Sequence, residues 1–195
     1  VIKVAFSSNL FSRIIVTTDS KKIASVAKKF KAEVPFLRGS YLSNSSAKTK
    51  DVIHDTIKKI SSYNISSHCC IYPTAVLIEA KDLKKAYLKF LDNKKSDAIL
   101  AVTKESNFHR MLVKKNDQLV YKWPKYAFYN SQKLPKAYMD SGTFFIFKTK
   151  EYLKSKSNLP KNTIPYEIDK FKGIDVNTPE DLKFLKTTIQ MQNKS

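Results

Sequence analysis

The sequence predicts an α/β protein in which helices cover both faces of a mostly parallel sheet. The main observation is that short β-branched runs alternate with segments of roughly 10 to 15 residues whose apolar positions recur at helical spacing. Such alternation implies right-handed crossover connections between the strands. The second observation is size, because a chain of 195 residues with 42% hydrophobic residues can bury one core. We therefore expect a single domain over residues 1–195.

The pattern begins with two pairs of a strand and a helix. Residues 13–18 form a β-branched run typical of a buried strand, and Asp19 and Ser20 then mark the start of a helix. A second extended segment, residues 33–37, leads through a serine-rich loop into another helix. The apolar face of the first helix carries Ile23, Val26, Ala27 and Phe30, and that of the second carries Val52, Ile53, Ile57 and Ile60.

The alternation continues to residue 103. Residues 68–72 predict a strand that Pro73 ends, residues 79–91 predict a helix, and residues 97–103 predict the next strand. Cys69 and Cys70 are neighbours in the first of these strands, so their side chains should point to opposite faces of the sheet. This placement suits a reducing compartment and suggests neither a disulfide nor a metal site.

The pattern changes in residues 104–142, which we predict to be an insertion. Residues 111–113 and 118–121 predict a hairpin. Residues 123–138 are irregular and rich in aromatic side chains, which is typical of a binding loop, a lid or a dimer arm. The sheet resumes at residues 143–147.

The last helix has the most strongly specified start. Thr178 predicts the N-cap, Pro179 the first helical residue, and Asp181 the acidic residue three positions after the cap. These signals fix the place of Asp175 just before the helix. A carboxylate held there can bind Mg²⁺ against the phosphates of a nucleotide, because hard oxygen ligands suit this ion. The alternative is a well-capped terminal helix and nothing more.

The chain is strongly basic, with 36 Lys and Arg residues against 17 Asp and Glu residues and a formal net charge of +19. This charge makes RNA binding an alternative. The lysines, however, occur in scattered pairs on predicted solvent-facing helix surfaces rather than in one stripe. We therefore expect attraction for anionic small molecules and no nucleic-acid partner. Salt-sensitive retention of RNA would favour the alternative.

Two further features of the sequence narrow the class of protein to which it can belong. The sequence contains three glycines, none in a glycine-rich phosphate loop, which excludes a P-loop and a dinucleotide fingerprint. No apolar run approaches the roughly 20 residues needed to span a bilayer, and no secretory leader opens the sequence. We expect a cytoplasmic protein without a membrane partner.

Candidate ligand-binding residues follow the predicted strands, because open α/β sheets bind ligands outside the carboxyl ends of their strands. These residues are Asp19, Tyr72, Thr74 and Asp175. Each has a structural alternative. Asp19 can orient a turn or help to start the following helix, Thr74 can be a turn hydroxyl, and Asp175 can be structural.

Five segments occur in the order found in one enzyme family. They are Arg-Ile-Ile-Val-Thr-Thr-Asp-Ser at 13–20, Ala-Glu-Val-Pro-Phe-Leu-Arg at 32–38, Ile-Tyr-Pro-Thr-Ala at 71–75, the stretch 131–145, and Gly-Ile-Asp-Val-Asn-Thr-Pro-Glu-Asp at 173–181. On these segments the chain resembles the cytidylyltransferases that activate nonulosonic acids, the CMP-sialic acid synthetase family. Its Tyr-Pro-Thr-Ala segment, where sialic acid enzymes usually carry Gln-Pro-Thr-Ser, is most similar to the branch that uses pseudaminic acid.

The resemblance implies a Rossmann-like, three-layer α/β/α nucleotidyltransferase fold. The implied reaction is attack by the anomeric hydroxyl of a nonulosonic acid on the α-phosphate of CTP, with Mg²⁺ as the cofactor. Its products are a CMP-sugar, for surface glycan biosynthesis, and pyrophosphate. The resemblance also implies a homodimer, with residues 123–138 as the dimer arm.

The resemblance further implies roles for individual residues. Asp175 and Asn177 would hold the metal, with Asp175 as the catalytic residue. Arg38, Tyr72 and Thr74 would bind the nucleotide. The sugar side would be lined by Gln132, Tyr138, Asp140 and Phe144. Arg110 is the candidate partner of the sugar carboxylate on charge grounds, and its alternative is an exposed hairpin arginine.

Three departures from the family pattern matter. The family begins with a strand and a basic Arg-Gly-Gly-Ser-Lys loop, so we expect roughly 30 residues to precede Val1. Asn177 stands where relatives carry an Asp, which predicts weaker metal binding. Asn130 and Lys133 replace an Arg and an Asp, which leaves the identity of the sugar open.

The alternative function is a non-catalytic sugar- or nucleotide-binding relative that lacks the phosphate loop; the upstream coding sequence would distinguish the two.

Overall fold

A mixed sheet between layers of helices organises the part of the chain that the computed structural model describes, residues 1–60 and 64–192. Within these residues there are six α-helices and six strands. The helices are α1 (Ile2–Ser7), α2 (Lys21–Lys29), α3 (Thr49–Lys59), α4 (Ala80–Asp92), α5 (Thr149–Lys154) and α6 (Pro179–Gln192). The strands are β1 (Ser67–Ile71), β2 (Ala98–Glu105), β3 (Leu112–Lys115), β4 (Gln118–Tyr121), β5 (Ala137–Lys148) and β6 (Thr163–Glu167).

The central sheet has four strands in the order β1-β5-β2-β6. β1, β2 and β6 run in one direction, and β5 lies antiparallel between β1 and β2. The α/β class that the sequence predicts is confirmed. The long antiparallel β5 makes the sheet mixed, and it carries the chain from the insertion, at the edge where β1 and β2 end, to the edge where they begin.

Successive side chains of β5 alternate between two cores. Phe144 and Ile146 pack on one face with residues of α4, and Phe145 and Phe147 pack on the other face with Ile57 of α3 and Tyr152 of α5. The sheet is therefore covered on both sides, as a three-layer α/β/α arrangement requires.

The adjacent cysteines follow the same alternation. Cys69 packs against the first core and Cys70 against the second, so their predicted placement on opposite faces is confirmed. Burial raises the pKa of both thiols, that of Cys70 to about 12.

The segments predicted as strands at residues 13–18 and 33–37 pair over one parallel bridge, between Ile15 and Glu33. The Glu33 amide donates to the carbonyl of Ile14, and the Val16 amide donates to the carbonyl of Glu33, both at 2.8 Å. The next bond of a parallel ladder would need an amide proton at residue 35, which is Pro35. The extent predicted for these strands was therefore wrong.

The predicted helices are confirmed, and the two starts for which the sequence predicted a cap, those of α2 and α6, have it. The Ser20 hydroxyl accepts from the Ile23 amide at the start of α2, and α6 begins at Pro179 as predicted. The sequence analysis missed α5 and β6. Pro165 interrupts the apolar pattern of β6, which lies at an edge of the sheet where proline is tolerated.

The predicted hairpin is also confirmed. β3 and β4 pair antiparallel from Leu112 opposite Tyr121 to Lys115 opposite Gln118, and both strands are exposed. None of the helices in the described ranges is long and apolar enough to cross a membrane.

Candidate active site

Three predicted residues meet at the edge of the sheet where β1 and β2 end. Tyr72 follows β1, and its amide donates to the carbonyl of Thr143 at 2.8 Å. Asp140, near the start of β5, lies opposite Val102 in β2. Asp175 reaches the same edge from the loop before α6, because its side chain packs against Gly142. This edge is the one where α/β sheets bind ligands.

An irregularity in β5 shapes the edge. The pairing with β2 jumps from Leu100 opposite Phe145 to Val102 opposite Asp140, and Gly142 lies within the jump with a φ of +60°. The Gly142 amide donates to Asp140 Oδ1 at 3.0 Å. The buried Ser141 hydroxyl donates to the carbonyl of Ala101 at 2.8 Å, which satisfies a backbone group inside the irregularity. The Asp140 carboxylate is thereby held by the backbone.

Gly142 also sets the position of Asp175. A side chain at residue 142 would collide with the Asp175 carboxylate, whose carboxyl carbon lies 2.7 Å from the ideal Cβ position. The second oxygen of this carboxylate, Oδ2, accepts from Asn177 Nδ2 at 2.8 Å. The carboxylate is therefore enclosed by a glycine on one side and an amide donor on the other.

The capped start of α6 fixes the segment that carries Asp175. The Asp181 carboxylate accepts from the backbone amides of Asn177, at 3.0 Å, and Thr178, at 2.8 Å. The Asp181 amide in turn donates to the Thr178 hydroxyl at 3.2 Å. The hydrogen bonds from Asn177 and Thr178 lower the pKa of Asp181. The predicted capping box is confirmed, and it orders the backbone two residues after Asp175.

We call Tyr72, Asp140, Gly142, Asp175 and Asn177 the acidic cluster. The pKa of Tyr72 is raised, first by burial, then by the neighbouring Cys70, and further by the carboxylates of Asp140 and Asp175. Because both carboxylates raise the pKa of the same phenol, both lie near Tyr72.

The two acids of the cluster differ from most acids of this chain in their partners. Among the described residues, neither Asp140 nor Asp175 forms an ion pair, whereas Glu79, Asp82 and Glu105 each pair with a lysine. The donors to Asp140 and Asp175 are a backbone amide and a side-chain amide, which leave the negative charges uncompensated. In a chain of net charge +19, such carboxylates are available to a cation.

The donor set fits Mg²⁺ bound together with a nucleotide. No group of three or more His, Cys, Asp or Glu side chains suited to a metal occurs within the described residues. Mg²⁺ does not need one, because it usually keeps several waters and binds one or two carboxylates together with substrate phosphates. Asp175 can supply such a carboxylate, and Asn177 can supply an amide oxygen if its side chain turns.

The predicted nucleotide residues lie in two places. Arg38 donates through Nε to the Ser43 hydroxyl at 3.0 Å, and its Nη2 lies 3.6 Å from Asp19 Oδ1. This pair joins two of the loops that follow the Ile15–Glu33 bridge. Thr74 lies in a tight turn after β1, in which its carbonyl accepts from the Val76 amide at 2.7 Å. Thr74 is thus two residues from the acidic cluster along the chain.

The predicted sugar residues are not all brought together. Tyr138 donates to Glu167 Oε1 at 2.8 Å, and Gln132 is exposed in a short 3₁₀ turn of the insertion. Arg110 donates through Nη2 to the carbonyl of Tyr129 at 2.5 Å, also within the insertion. Phe144 requires a correction, because it is 1% exposed and packs in the core below the sheet edge, where it cannot line a sugar site.

The sequence analysis missed Gly142, which contacts the Asp175 carboxylate, and Lys172, which lies in the loop before Asp175. Gly142 is one of three glycines, and a glycine beside a predicted strand is a signal for a bulge. Lys172 contacts α4 through an ion pair with Asp82, and no local pattern indicates a partner 90 residues away.

Solved structures confirm the fold. The chain resembles a CMP:2-keto-3-deoxy-manno-octonic acid synthetase complexed with CTP, with a TM-score of 0.63 and 12% identity over 100% of this chain and 88% of that one. It also resembles the 4-diphosphocytidyl-2C-methyl-D-erythritol synthase of Anaerococcus prevotii, with a TM-score of 0.63 and 12% identity over 97% of this chain and 83% of that one. The fold is the Rossmann-like fold of nucleotidyltransferases.

Sequence comparison then identifies the family. The chain belongs to the cytidylyltransferase family, whose family model matches residues 1–192. It is 30% identical to a pseudaminic acid cytidylyltransferase of Campylobacter jejuni, over 98% of this chain and 84% of the relative. It is 31% identical to a CMP-N,N'-diacetyllegionaminic acid synthase of the same species, over 98% of this chain and 83% of the relative.

Proposed function

We propose that this protein activates pseudaminic acid with CTP, giving the CMP-sugar and pyrophosphate. The observation that carries the proposal is the acidic cluster at the ligand-binding edge of a nucleotidyltransferase sheet, where two carboxylates have no cationic partner among the residues described. Similarity to a pseudaminic acid cytidylyltransferase over nearly the whole chain supports the choice of sugar acid. Since the chain is also 31% identical to a legionaminic acid enzyme, that choice requires a direct test.

In the proposed reaction the anomeric oxygen of the sugar acid forms a bond to the α-phosphorus of CTP. The bond between this phosphorus and the oxygen bridging to the β-phosphate breaks, pyrophosphate leaves with its electron pair, and the hydroxyl proton passes to solvent. Such a reaction depends mainly on positioning and on compensation of phosphate charge.

We propose that Asp175 and Asn177 hold Mg²⁺ when the nucleotide binds. The ion would supply charge compensation to the phosphate oxygens. Gly142 and the capped start of α6 keep the Asp175 carboxylate in place before the ion arrives. Because the Asn177 amide donates to Asp175 in the structure, Asn177 must rotate to present its oxygen to a metal.

The remaining predicted residues have proposed roles on either side of this carboxylate. Tyr72, Thr74 and Arg38 would contact the nucleotide, and Asp140 would accept hydrogen bonds from sugar hydroxyls. Gln132 and Tyr138 would contribute polar groups from the insertion and from β5. Arg110 would have to leave the Tyr129 carbonyl to reach a sugar carboxylate.

The test is pyrophosphate release with CTP and Mg²⁺, with pseudaminic, N,N'-diacetyllegionaminic and N-acetylneuraminic acids supplied in parallel to protein made from the complete coding sequence. We expect release with pseudaminic acid, and its loss in Asp175→Asn. The matched control is Glu180→Gln, which changes an exposed acid in the first turn of α6. Preference for another acid would overturn the choice of sugar. CTP binding without release from any acid would instead favour a non-catalytic binding module.

We also propose that the protein is a homodimer joined through the insertion. The β3–β4 hairpin and the aromatic segment after it expose apolar side chains, including Phe128 at 99% and Leu119 at 70%. Exposed apolar surface of this kind is typical of interaction sites. Sedimentation should show a dimer that Phe128→Ser weakens, and a wild-type monomer at micromolar concentration would contradict the proposal.

A further inference from the structure

Lys172 joins the loop before Asp175 to the start of α4. Its Nζ lies 2.7 Å from Asp82 Oδ2 and also contacts Glu79 Oε2. These two acids form the capping box of α4, in which the Glu79 amide donates to Asp82 Oδ2 at 2.9 Å. The Lys172 side chain is 18% exposed, so this ion pair is partly shielded from water.

The loop that carries Lys172 is compact. The Lys172 and Gly173 amides donate to the carbonyl of Asp169 at 2.9 Å and 3.0 Å, and the Phe171 amide donates to the Asp169 carboxylate at 2.7 Å. Gly173 packs closely against Thr103 and Ser141, where a side chain would not fit. A displacement of this turn would therefore be transmitted to Asp175, two residues further along.

We propose that Lys172 is a positioning residue that holds the Asp175 carboxylate against Gly142 by anchoring the turn at residues 169–173 to α4. This inference rests on the proposed function, in which Asp175 is a metal ligand. Lys172 does not contact the acidic cluster itself. It acts through the backbone, from the opposite end of the segment to the capping box at Thr178 and Asp181.

The charge of Lys172 matters because its partners are two acids. Without the ammonium group, Asp82 would be left buried with no cation among the described residues, and Glu79 would keep only the exposed Lys81. Repulsion and the demand for water around Asp82 would then pull the turn away from α4. Burial lowers the Lys172 pKa, but the hydrogen bonds that its ammonium group donates to Asp82 and Glu79 outweigh this effect and raise the pKa, so the lysine is charged at neutral pH.

The test compares Lys172→Met, which keeps the aliphatic stem, with Lys172→Arg, which keeps the charge. Lys170→Met is the matched control, because Lys170 lies on the same turn, pairs with Glu105 at 3.0 Å and is 58% exposed. The first measurement is amide hydrogen exchange over residues 173–178 without ligands. The second is Mn²⁺ binding in the presence of CTP, followed by electron paramagnetic resonance, and the third is the Mg²⁺ dependence of pyrophosphate release.

We expect Lys172→Met to accelerate exchange in this segment and to weaken Mn²⁺ binding about tenfold, the lower end of the range for residues that orient metal ligands. The Mg²⁺ concentration for half-maximal rate should rise by a similar factor, while Lys172→Arg and Lys170→Met stay within about twofold of wild type. If Lys172→Met has the same amide hydrogen exchange and the same Mn²⁺ affinity as the wild type, the inference is overturned.

Two further outcomes are distinguishable. If the wild type releases no pyrophosphate with any acid, the proposed function fails, while the exchange and Mn²⁺ measurements still test Lys172. If Lys172→Met does not fold, Asp82→Asn takes its place, because the asparagine oxygen can still accept from the Glu79 amide. Asp82→Asn should shift Mn²⁺ binding in the same direction, and wild-type binding in this variant would overturn the inference.

Discussion

Gly142→Ala should inactivate the enzyme while leaving it folded. Residue 142 has a φ of +60°, a conformation that costs an alanine about 1 to 2 kcal/mol. The new Cβ would also lie 2.7 Å from the carboxyl carbon of Asp175, whereas ordinary contacts begin at 3.4 Å. Oδ1 of the same carboxylate would lie closer still, so the carboxylate must retreat by about 1 Å, and a misplacement of about 1 Å costs roughly 100-fold in rate.

The assay is kcat/KM for pyrophosphate release, measured beside thermal unfolding. We expect kcat/KM to fall about 100-fold, and Tm to fall by about 2 to 8 °C for a chain of this size. Gly142→Asn separates the two effects, because asparagine tolerates the left-handed conformation but still displaces Asp175. It should regain part of the stability and stay inactive.

The control is Gly39→Ala. Gly39 has an ordinary φ of −65°, and a Cβ there would meet the ring of Tyr41, which is exposed and can move. This variant should behave like the wild type. The reasoning is refuted if Gly142→Ala keeps kcat/KM within about threefold of the wild-type value.

Three other predictions follow from the same contacts. Asn177→Asp replaces a donor to Asp175 by a second carboxylate, so it should lower Tm without metal and tighten Mn²⁺ binding about tenfold in the presence of CTP; equal affinity would contradict this. The backbone amides of Asn177 and Thr178 and the Thr178 hydroxyl keep the pKa of Asp181 low in the folded protein. The contribution of Asp181 to stability is therefore complete above the ordinary carboxyl pKa and is lost as the pH falls through the pKa of the folded state. Urea unfolding should show wild-type stability declining below about pH 4 more steeply than that of Asp181→Asn, and parallel profiles would count against the capping box as the cause. Phe144→Ala should cost about 3 to 5 kcal/mol of unfolding free energy without raising the KM for the sugar acid, and a raised KM at unchanged stability would restore Phe144 to the sugar site.

The parts of the fold that could be predicted from sequence depend on local signals. The start of α6 is specified by neighbouring residues, because Thr178 and Asp181 satisfy backbone groups within one turn. The opposite orientation of Cys69 and Cys70 follows from the two-residue period of a strand. The placement of Asp175 before α6 was predicted for the same reason.

The parts that could not be predicted depend on distant contacts. The inward orientation of Phe144 depends on the register of β5 with β1, in which Phe144 lies opposite Ile71. The antiparallel direction of β5 depends on the path of the insertion, which no local pattern encodes. The bridge between Ile15 and Glu33 stops at Pro35 because a missing amide proton in one segment limits its pairing with the other.

The position of the acidic cluster depends on both kinds of contact, and this combination explains its chemistry. Asp140 is held by a backbone amide at an irregularity in β5, and Asp175 is held from a different part of the chain by Gly142 and Asn177. Within the part of the chain that the structure describes, neither acid forms an ion pair with a lysine or an arginine, although lysines pair with several other acids. Because the donors that hold these two carboxylates are uncharged, the carboxylates repel each other. A bound cation would relieve this repulsion. A cation that arrives with the phosphates of a nucleotide would therefore be bound most tightly when the substrate is present, which couples metal binding to CTP binding.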